Sequence, residues 1–569
     1  MPPGEAHAPQ KVEPPTKDRH VHGIDSWPTL FEQVQQHARE RPQHVAVWNR
    51  LPGGQYEATS YSELAAAARR FAQAFADSFN EARFIPLFLA RSPSCIAAML
   101  GAIGAGKAFI CLHQKLRLRQ VSDILEAARA QVVLVDATGL MTLRGELTGA
   151  PAITRVRWWL LRGPEFGAMH EKIAARLGMV AVVEEWKADI AERNVPETLL
   201  LPADPLRLGC GLFTSGSTGK PKGVLIGERD LTARAWAEAQ WYQLKAQDVL
   251  LNILPFSFDV GLNQVLSALC VGCSLVLLHS WLPADILDAV SARQVTGISA
   301  VPSIWSDFLK ANLQFDTCGE HASLRYITIS GGDLSREKLD RLPAMVHGVG
   351  IIKTYGQTET FRSTALLPTE FSRKRQSVGR AFVNVRVYVV RKDGMLAEPQ
   401  EVGEIVHTGM GVMQGYLDGD DPQNKVRRNP FFGPDDDASC AVFTGDQGYL
   451  DEDGYLYLVG RRDEMLKVSG NRLYPRAVSD QLAAIAGVAE AEVVGVTLDN
   501  DDTRLVAFVV REPSSALQPM MIRRALALCV PSFMLPEHVV ILRALPRTAN
   551  GKPDRQALAA QADAILTQK

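Results

Sequence analysis

Val260 to Leu278 reads VGLNQVLSALCVGCSLVLL, an uncharged apolar run long enough to suggest a membrane span. Asn263, Gln264, Ser267, Ser274 and two glycines interrupt it, and Asp259 stands directly before it. A buried helix followed by a buried strand is therefore the expected form, in a soluble protein with no membrane partner. The same alternation extends outward. Tyr61 to Phe75 (YSELAAAARRFAQAF) carries the apolar stripe and the strong helix formers of an amphipathic helix. Phe84–Ala90, Val132–Ala137 and Ser274–His279 are short apolar runs of the buried-strand kind. Strands separated by helices predict an α/β core of mainly parallel sheets flanked by helices. No internal repeat or heptad pattern accompanies it.

Composition narrows the function classes. The chain has 569 residues, 46% hydrophobic and 22% charged, which supports a sizeable core. Lys and Arg number 61 against 63 Asp and Glu, a formal net charge of −2 that gives no reason to expect nucleic acid as a partner. Eight cysteines are too sparse for a disulfide framework, so a reducing, cytoplasmic location is expected. Cys270 and Cys273 lack the further ligands of a zinc site and read as packing residues. Residues 1–24, rich in Pro, His and charge, are expected to form a disordered tail. GYLDEDGYLYLVG before Gly460 reads as a hairpin with a DG turn, and a lighter α+β pattern follows it. A large domain is thus placed at 25–460 and a small one at 461–569. The acidic clusters Asp418–Asp421 and Asp435–Asp437 read as solvated loops.

The strongest local signal is Phe213 to Gly223, FTSGSTGKPKG. Its glycines, hydroxyls and two lysines can present N–H, O–H and ammonium groups to a polyphosphate. Pro221 after Gly219-Lys220 excludes a Walker A loop. A flexible linker would not explain the lysines. KTYGQTET (Lys353–Thr360), FTGDQGYL (Phe443–Leu450), GRRDEMLKVSG (Gly460–Gly470) and NGKPDR (Asn550–Arg555) follow in order. Together these five motifs resemble the core motifs of the adenylate-forming superfamily: acyl-CoA synthetases, luciferases and nonribosomal peptide synthetase adenylation domains. SYSEL (Ser60–Leu64), GEIVHTGMGVMQGYL (Gly403–Leu417) and PSFMLP (Pro531–Pro536) are weaker echoes, so the resemblance runs from about residue 27 to 560.

The resemblance implies a large domain hinged to a small mobile one, and a stand-alone AMP-forming ligase using ATP and Mg²⁺. Thr214, Ser215, Gly216, Ser217, Thr218, Gly219 and Lys222 would cradle the β- and γ-phosphates. Thr358 would contact the α-phosphate, and Glu359 would help hold Mg²⁺, a hard cation that takes oxygen ligands. Tyr355 would lie near the adenine, and Asp446 would accept from the ribose hydroxyls with Arg461 assisting. Lys552 would bridge the substrate carboxylate and the α-phosphate, stabilising charge when two anions meet. The Asn550-Gly551 turn would lift it into the cleft. Asp463 aligns with the hinge about which the small domain swings after adenylation, bringing the Met465–Gly470 loop to the site.

Substrate specificity is expected from Asp259, Val260, Asn263, Ser299, Thr328, Ser330, Thr354, Arg362 and Ser363, mostly small and polar. Asp259 stands where amino-acid-activating relatives place an acid against the substrate ammonium. Arg362 would either fork onto a second carboxylate of the substrate or neutralise Asp259. A small amino acid is the expected substrate, with a small non-amino carboxylic acid as the alternative. Residues after Lys552 hold no Ser-centred carrier motif, so the acyl group is expected to pass in trans to the phosphopantetheine thiol of a carrier protein, or to CoA. A silent scaffold would be expected to have lost the phosphate loop, Glu359, Asp446 or Lys552; all four are intact.

Overall fold

The computed structural model describes residues 28–79, 81–116, 118–144, 151–162, 166–176, 180–184, 207–215, 221–417, 419, 421, 424–431, 440–461, 466–468, 471–497 and 503–567. The chain folds as α/β, with a large N-terminal part built on three sheets and a small C-terminal part. Two large sheets carry the parallel strands anticipated from the sequence. In one, Gly350–Tyr355, Tyr326–Ile329, Gly297–Ala300, Val249–Asn252, Ser274–Leu277 and Val45–Arg50 lie side by side, all parallel. In the other, Phe84–Phe88 pairs in parallel with Ala108–Cys111 and Val132–Val135.

Val260–Leu278 resolves into the helix Asp259–Val271 and the strand Ser274–Leu277, as its polar interruptions require. Gly272, at φ 73°, ends the helix in the left-handed conformation that a residue without Cβ adopts freely. The helix Tyr61–Ser78 begins with a capping box in which Ser60 and Glu63 satisfy each other's backbone N–H. It packs with Pro93–Gly104, Glu228–Trp241 and Asp259–Val271 into the principal core. Among the described residues no helix is long and apolar enough to cross a membrane. Cys270 and Cys273 are free, and burial pushes the Cys270 thiol up to about 12, so it stays protonated as a packing group.

The expectation of mainly parallel sheets does not extend to the third sheet. Val385–Val390, Gly403–Gly409, Cys440–Leu450, Val426–Arg428 and Leu456–Arg461 pair entirely antiparallel. Antiparallel neighbours can be joined without the crossover helix that parallel pairing requires. The hairpin read before Gly460 is its last pair, Cys440–Leu450 with Leu456–Arg461. Beyond it, Val488–Thr497, Thr503–Arg511 and His538–Leu542 form a three-stranded sheet with the helices Pro475–Ala483, Pro519–Ala527 and Arg555–Thr567. Of the expected loops, Asp421 accepts from Val426 N at 2.8 Å; Asp435–Asp437 and the N-terminal tail lie outside the described residues.

Candidate active site

Residues expected in the substrate pocket gather at the carboxyl ends of adjacent parallel strands, where open α/β sheets place ligands. Ser299, Thr328 and Thr354 come from three neighbouring strands, and Ser330 follows the second. Thr328 Oγ1 lies 3.2 Å from Ser330 Oγ, which lies 2.7 Å from Thr354 Oγ1, a continuous buried hydroxyl chain. Ser363 turns to His407 instead: its Oγ is 3.0 Å from Nδ1 while Nε2 lies 2.9 Å from the Met410 carbonyl. Buried His407 therefore donates from Nε2 and accepts at Nδ1, and burial pushes its pKa down to about 4. Val260 packs in the apolar layer with Leu254 and Phe258.

Asp259 opens the helix Asp259–Val271, its Oδ1 accepting from Val260 N at 2.9 Å. Its Oδ2 lies 3.8 Å from Arg362 Nη1. On the other side of Arg362, Nε lies 3.6 Å from Glu238 Oε2. Burial alone would lower the Arg362 pKa, but the facing carboxylates of Glu238 and Asp259 outweigh it and hold the guanidinium above its ordinary value. Glu238 has no sequence signal: it sits between two alanines in the helix Glu228–Trp241, and only tertiary packing brings it to Arg362.

On the nucleotide side, Asp446 Oδ2 accepts from Tyr355 Oη at 2.6 Å and from Gln357 Nε2 at 2.8 Å, while Arg461 Nε lies 3.7 Å from Oδ1. Two donors on one oxygen leave Oδ1 as the atom suited to ribose hydroxyls. Burial raises the Asp446 pKa, and Tyr355, Arg461 and Gln357 oppose that rise. Glu359 Oε1 accepts from Tyr416 Oη at 2.8 Å and from Lys425 Nζ at 3.0 Å. Although burial disfavours the anion, Lys425 and Tyr416 outweigh it and hold the carboxyl below its usual range. An ionised carboxylate whose two protein bonds both end on Oε1 can offer Oε2 to a hard cation, so the site fits Mg²⁺ carried by phosphates. Lys222 Nζ lies 5.3 Å from the Tyr416 ring centroid, on the same side as Glu359. Thr214 is the last residue but one of the strand Leu208–Ser215 that leads into the phosphate loop, and Thr358 is half-buried beside Glu359. The Ser215 side chain, Gly216, Ser217, Thr218, Gly219 and Asp463 lie outside the described residues. Sequence reading missed Gln357, Tyr416 and Lys425, although the first lies inside the KTYGQTET motif.

Lys552 joins the two halves. Its Nζ lies 5.6 Å from the Phe258 ring centroid, next to Asp259. It remains exposed to the cleft, yet protein surrounds it closely. Burial lowers its pKa, Asp259 and Asp446 oppose that, and Arg461 and Arg362 add to it. The turn before it closes through Gly551 N donating to Thr548 O at 2.9 Å and Thr548 N donating to Lys552 O at 2.8 Å. Gly551 has φ 79°, and a Cβ there would come within 2.9 Å of the Trp281 ring. A lysine poised between a carboxylate pocket and a nucleotide cradle is suited to joining an acid to an α-phosphate.

The chain matches the AMP-binding enzyme family over residues 34–417 and the AMP-binding enzyme C-terminal domain over 478–552. It belongs to this adenylate-forming family of ATP-dependent, AMP-forming acid–thiol ligases. It is 29% identical over 529 residues to an indoleacetate–CoA ligase of Aromatoleum aromaticum, covering 92% of this chain and 96% of that one. It is 27% identical over 551 residues to malpinin synthetase of Mortierella alpina, covering 94% of this chain but only 6% of that much longer protein. The ATP-bound structure of MatB from Rhodopseudomonas palustris shares the fold at a TM-score of 0.77 and 22% identity, covering 94% of this chain and 99% of that one.

Proposed function

We propose that the enzyme adenylates a small amino acid and passes it to the phosphopantetheine thiol of a separate carrier protein. The observation that carries this reading is Asp259, a carboxylate whose charge acts on Lys552, at the start of the helix Asp259–Val271. An ammonium would meet Asp259 while the substrate carboxylate meets Lys552, leaving little room for a long acyl chain. With Mg²⁺ held at Glu359 and ribose at Asp446, Lys552 would neutralise charge as carboxylate oxygen attacks the α-phosphate and pyrophosphate leaves. Residues 461–569 would then swing about Asp463 and withdraw Lys552.

A cavity of 1420 Å³ offers an approach for the acceptor arm. Its walls include Ser257, two residues before Asp259, Ala549, three before Lys552, and Lys115, whose ammonium lies 5.6 Å from the Trp281 ring centroid. CoA as acceptor is the second reading, favoured by the near-complete overlap with the indoleacetate–CoA ligase. Substrate-dependent pyrophosphate release across amino acids, dicarboxylates, aryl acids and short fatty acids tests the first step. AMP release on adding CoA or a carrier protein bearing a free phosphopantetheine thiol tests the second. Lys552→Ala should lose at least about 100-fold in adenylation, an electrostatic contribution of the usual size. Near-wild-type pyrophosphate release in that variant removes Lys552 from the mechanism.

A further inference from the structure

Charges beneath the substrate pocket do not balance. Arg362 faces two carboxylates, Glu238 behind it and Asp259 in front, at 3.6 and 3.8 Å. Neighbouring Arg234 interacts with buried Asp230 and donates to the Gly411 carbonyl. Asp230, Glu238 and Asp259 thus stand against Arg234 and Arg362, three carboxyl groups to two guanidinium groups. Lys552 does not change this balance during adenylation, because its charge answers the substrate carboxylate and the α-phosphate.

Two further observations place the surplus. Arg362 Nε and Glu238 Oε2 are buried without a hydrogen-bond partner, and they face each other as an ion pair just beyond hydrogen-bond distance. Burial raises the Glu238 pKa above its ordinary value, and Arg362 first, then the side chains of Asn263 and Ser267, oppose that rise. Glu238 and Arg362 are 2% and 3% exposed, and Asp259 is the least buried of the three, its charge acting on Lys552. An unmatched buried charge is costly, so the accessible member of such a cluster is the one that gains from a ligand of opposite sign.

We propose that Glu238 is a specificity-determining positioning residue: it answers the charge of Arg362, so that Asp259 stays available as an anion to a cationic group on the substrate. Without Glu238, Arg362 would neutralise Asp259 and the pocket would lose its demand for an amine. With it, a substrate bearing a second carboxylate meets a surplus negative charge and is rejected. This inference rests on the amino-acid reading above and names the residue that enforces it.

The test compares kcat/KM in pyrophosphate exchange for the best amino acid, for its deamino analogue and for the matching dicarboxylate, with unfolding midpoints for every variant. In Glu238→Gln the preference for the amino acid over the deamino analogue should fall at least about tenfold, as expected for loss of a charged partner. In the double variant Glu238→Gln/Arg362→Gln, where Asp259 again lacks a counter-ion, the preference should return to within about threefold of wild type, a charge rescue that lost packing cannot produce. Asp259→Asn should abolish the preference, and this arm stands even if the deeper variants fail to fold. A preference that survives Glu238→Gln or Asp259→Asn, or that does not return in a folded double variant, overturns the inference. A wild-type enzyme indifferent to the amine overturns the amino-acid reading, and this inference with it.

Discussion

Lys552 sits where burial works against the charge its role requires. Desolvation lowers its pKa, while Asp259 and Asp446 hold on to the proton. In the proposed mechanism adenylation needs the ammonium, so activity should be present below the folded pKa and lost as pH rises through it. Because kcat/KM reports the free enzyme, its alkaline limb should fall below the value of a free lysine, about 10.4. In Lys552→Arg any residual activity should lack this limb, since guanidinium does not titrate there. A limb that persists in the arginine variant assigns the titration to another group. Single residues were unevenly legible in the sequence. Glu359, Asp446 and Lys552 stand inside motifs whose residue types fit phosphate, ribose and carboxylate chemistry. Glu238 and Lys425 act across contacts with residues far away along the chain, at Arg362 and Glu359, and no spacing rule points to such partners.

The turn Thr548–Lys552 sets the reach of the proposed catalytic lysine. Arg547 Nη1 donates to Gly551 O at 2.9 Å, and Gly551 sits at φ 79° against Trp281 and Ser303. A methyl group here meets both backbone strain and the indole, at a cost of about 1–3 kcal/mol. Gly551→Ala should therefore reduce kcat for adenylation at least about tenfold with a smaller change in the KM of the carboxylate substrate, because the pocket residues lie on other elements. Equal losses in kcat/KM through KM alone would show that the turn does not position Lys552. Elements with a strong pattern were the easiest to read: the helix from Tyr61, the strands at Phe84, Val132 and Ser274, and the Asn550-Gly551 turn. The antiparallel sheet around Gly403–Gly409 was not read as a sheet, beyond its final hairpin. Its strands mix apolar and polar residues much as loops do, and their pairing is fixed by neighbours that sequence order alone does not reveal.

Across the whole molecule, the two parts of the chain meet through charge as well as through Lys552. Glu490, in the C-terminal sheet, accepts from Lys310 of the large part with one oxygen and from Arg547 with the other. Asp333 of the large part likewise pairs with Arg476 at 3.2 Å, besides Lys353. Burial opposes ionisation of Glu490, but Arg547 and Lys310 outweigh it and hold the carboxyl below its ordinary value. Lys338 lies in the same cluster, pushed down to about 8 by burial. Removing the carboxylate leaves three basic side chains facing one another across the seam, which weakens the arrangement that delivers Lys552. Glu490→Gln should lower pyrophosphate exchange by roughly fivefold, about 1 kcal/mol for a partly exposed ion cluster. Salt should shrink the defect, since at 0.1 M the screening length is already about 10 Å. On the proposed swing of the small part, thiol-dependent consumption of supplied adenylate would use the other arrangement and should not slow. A defect equal in both half-reactions, and insensitive to salt, would make Glu490 a residue of the small part's own stability and not of its docking.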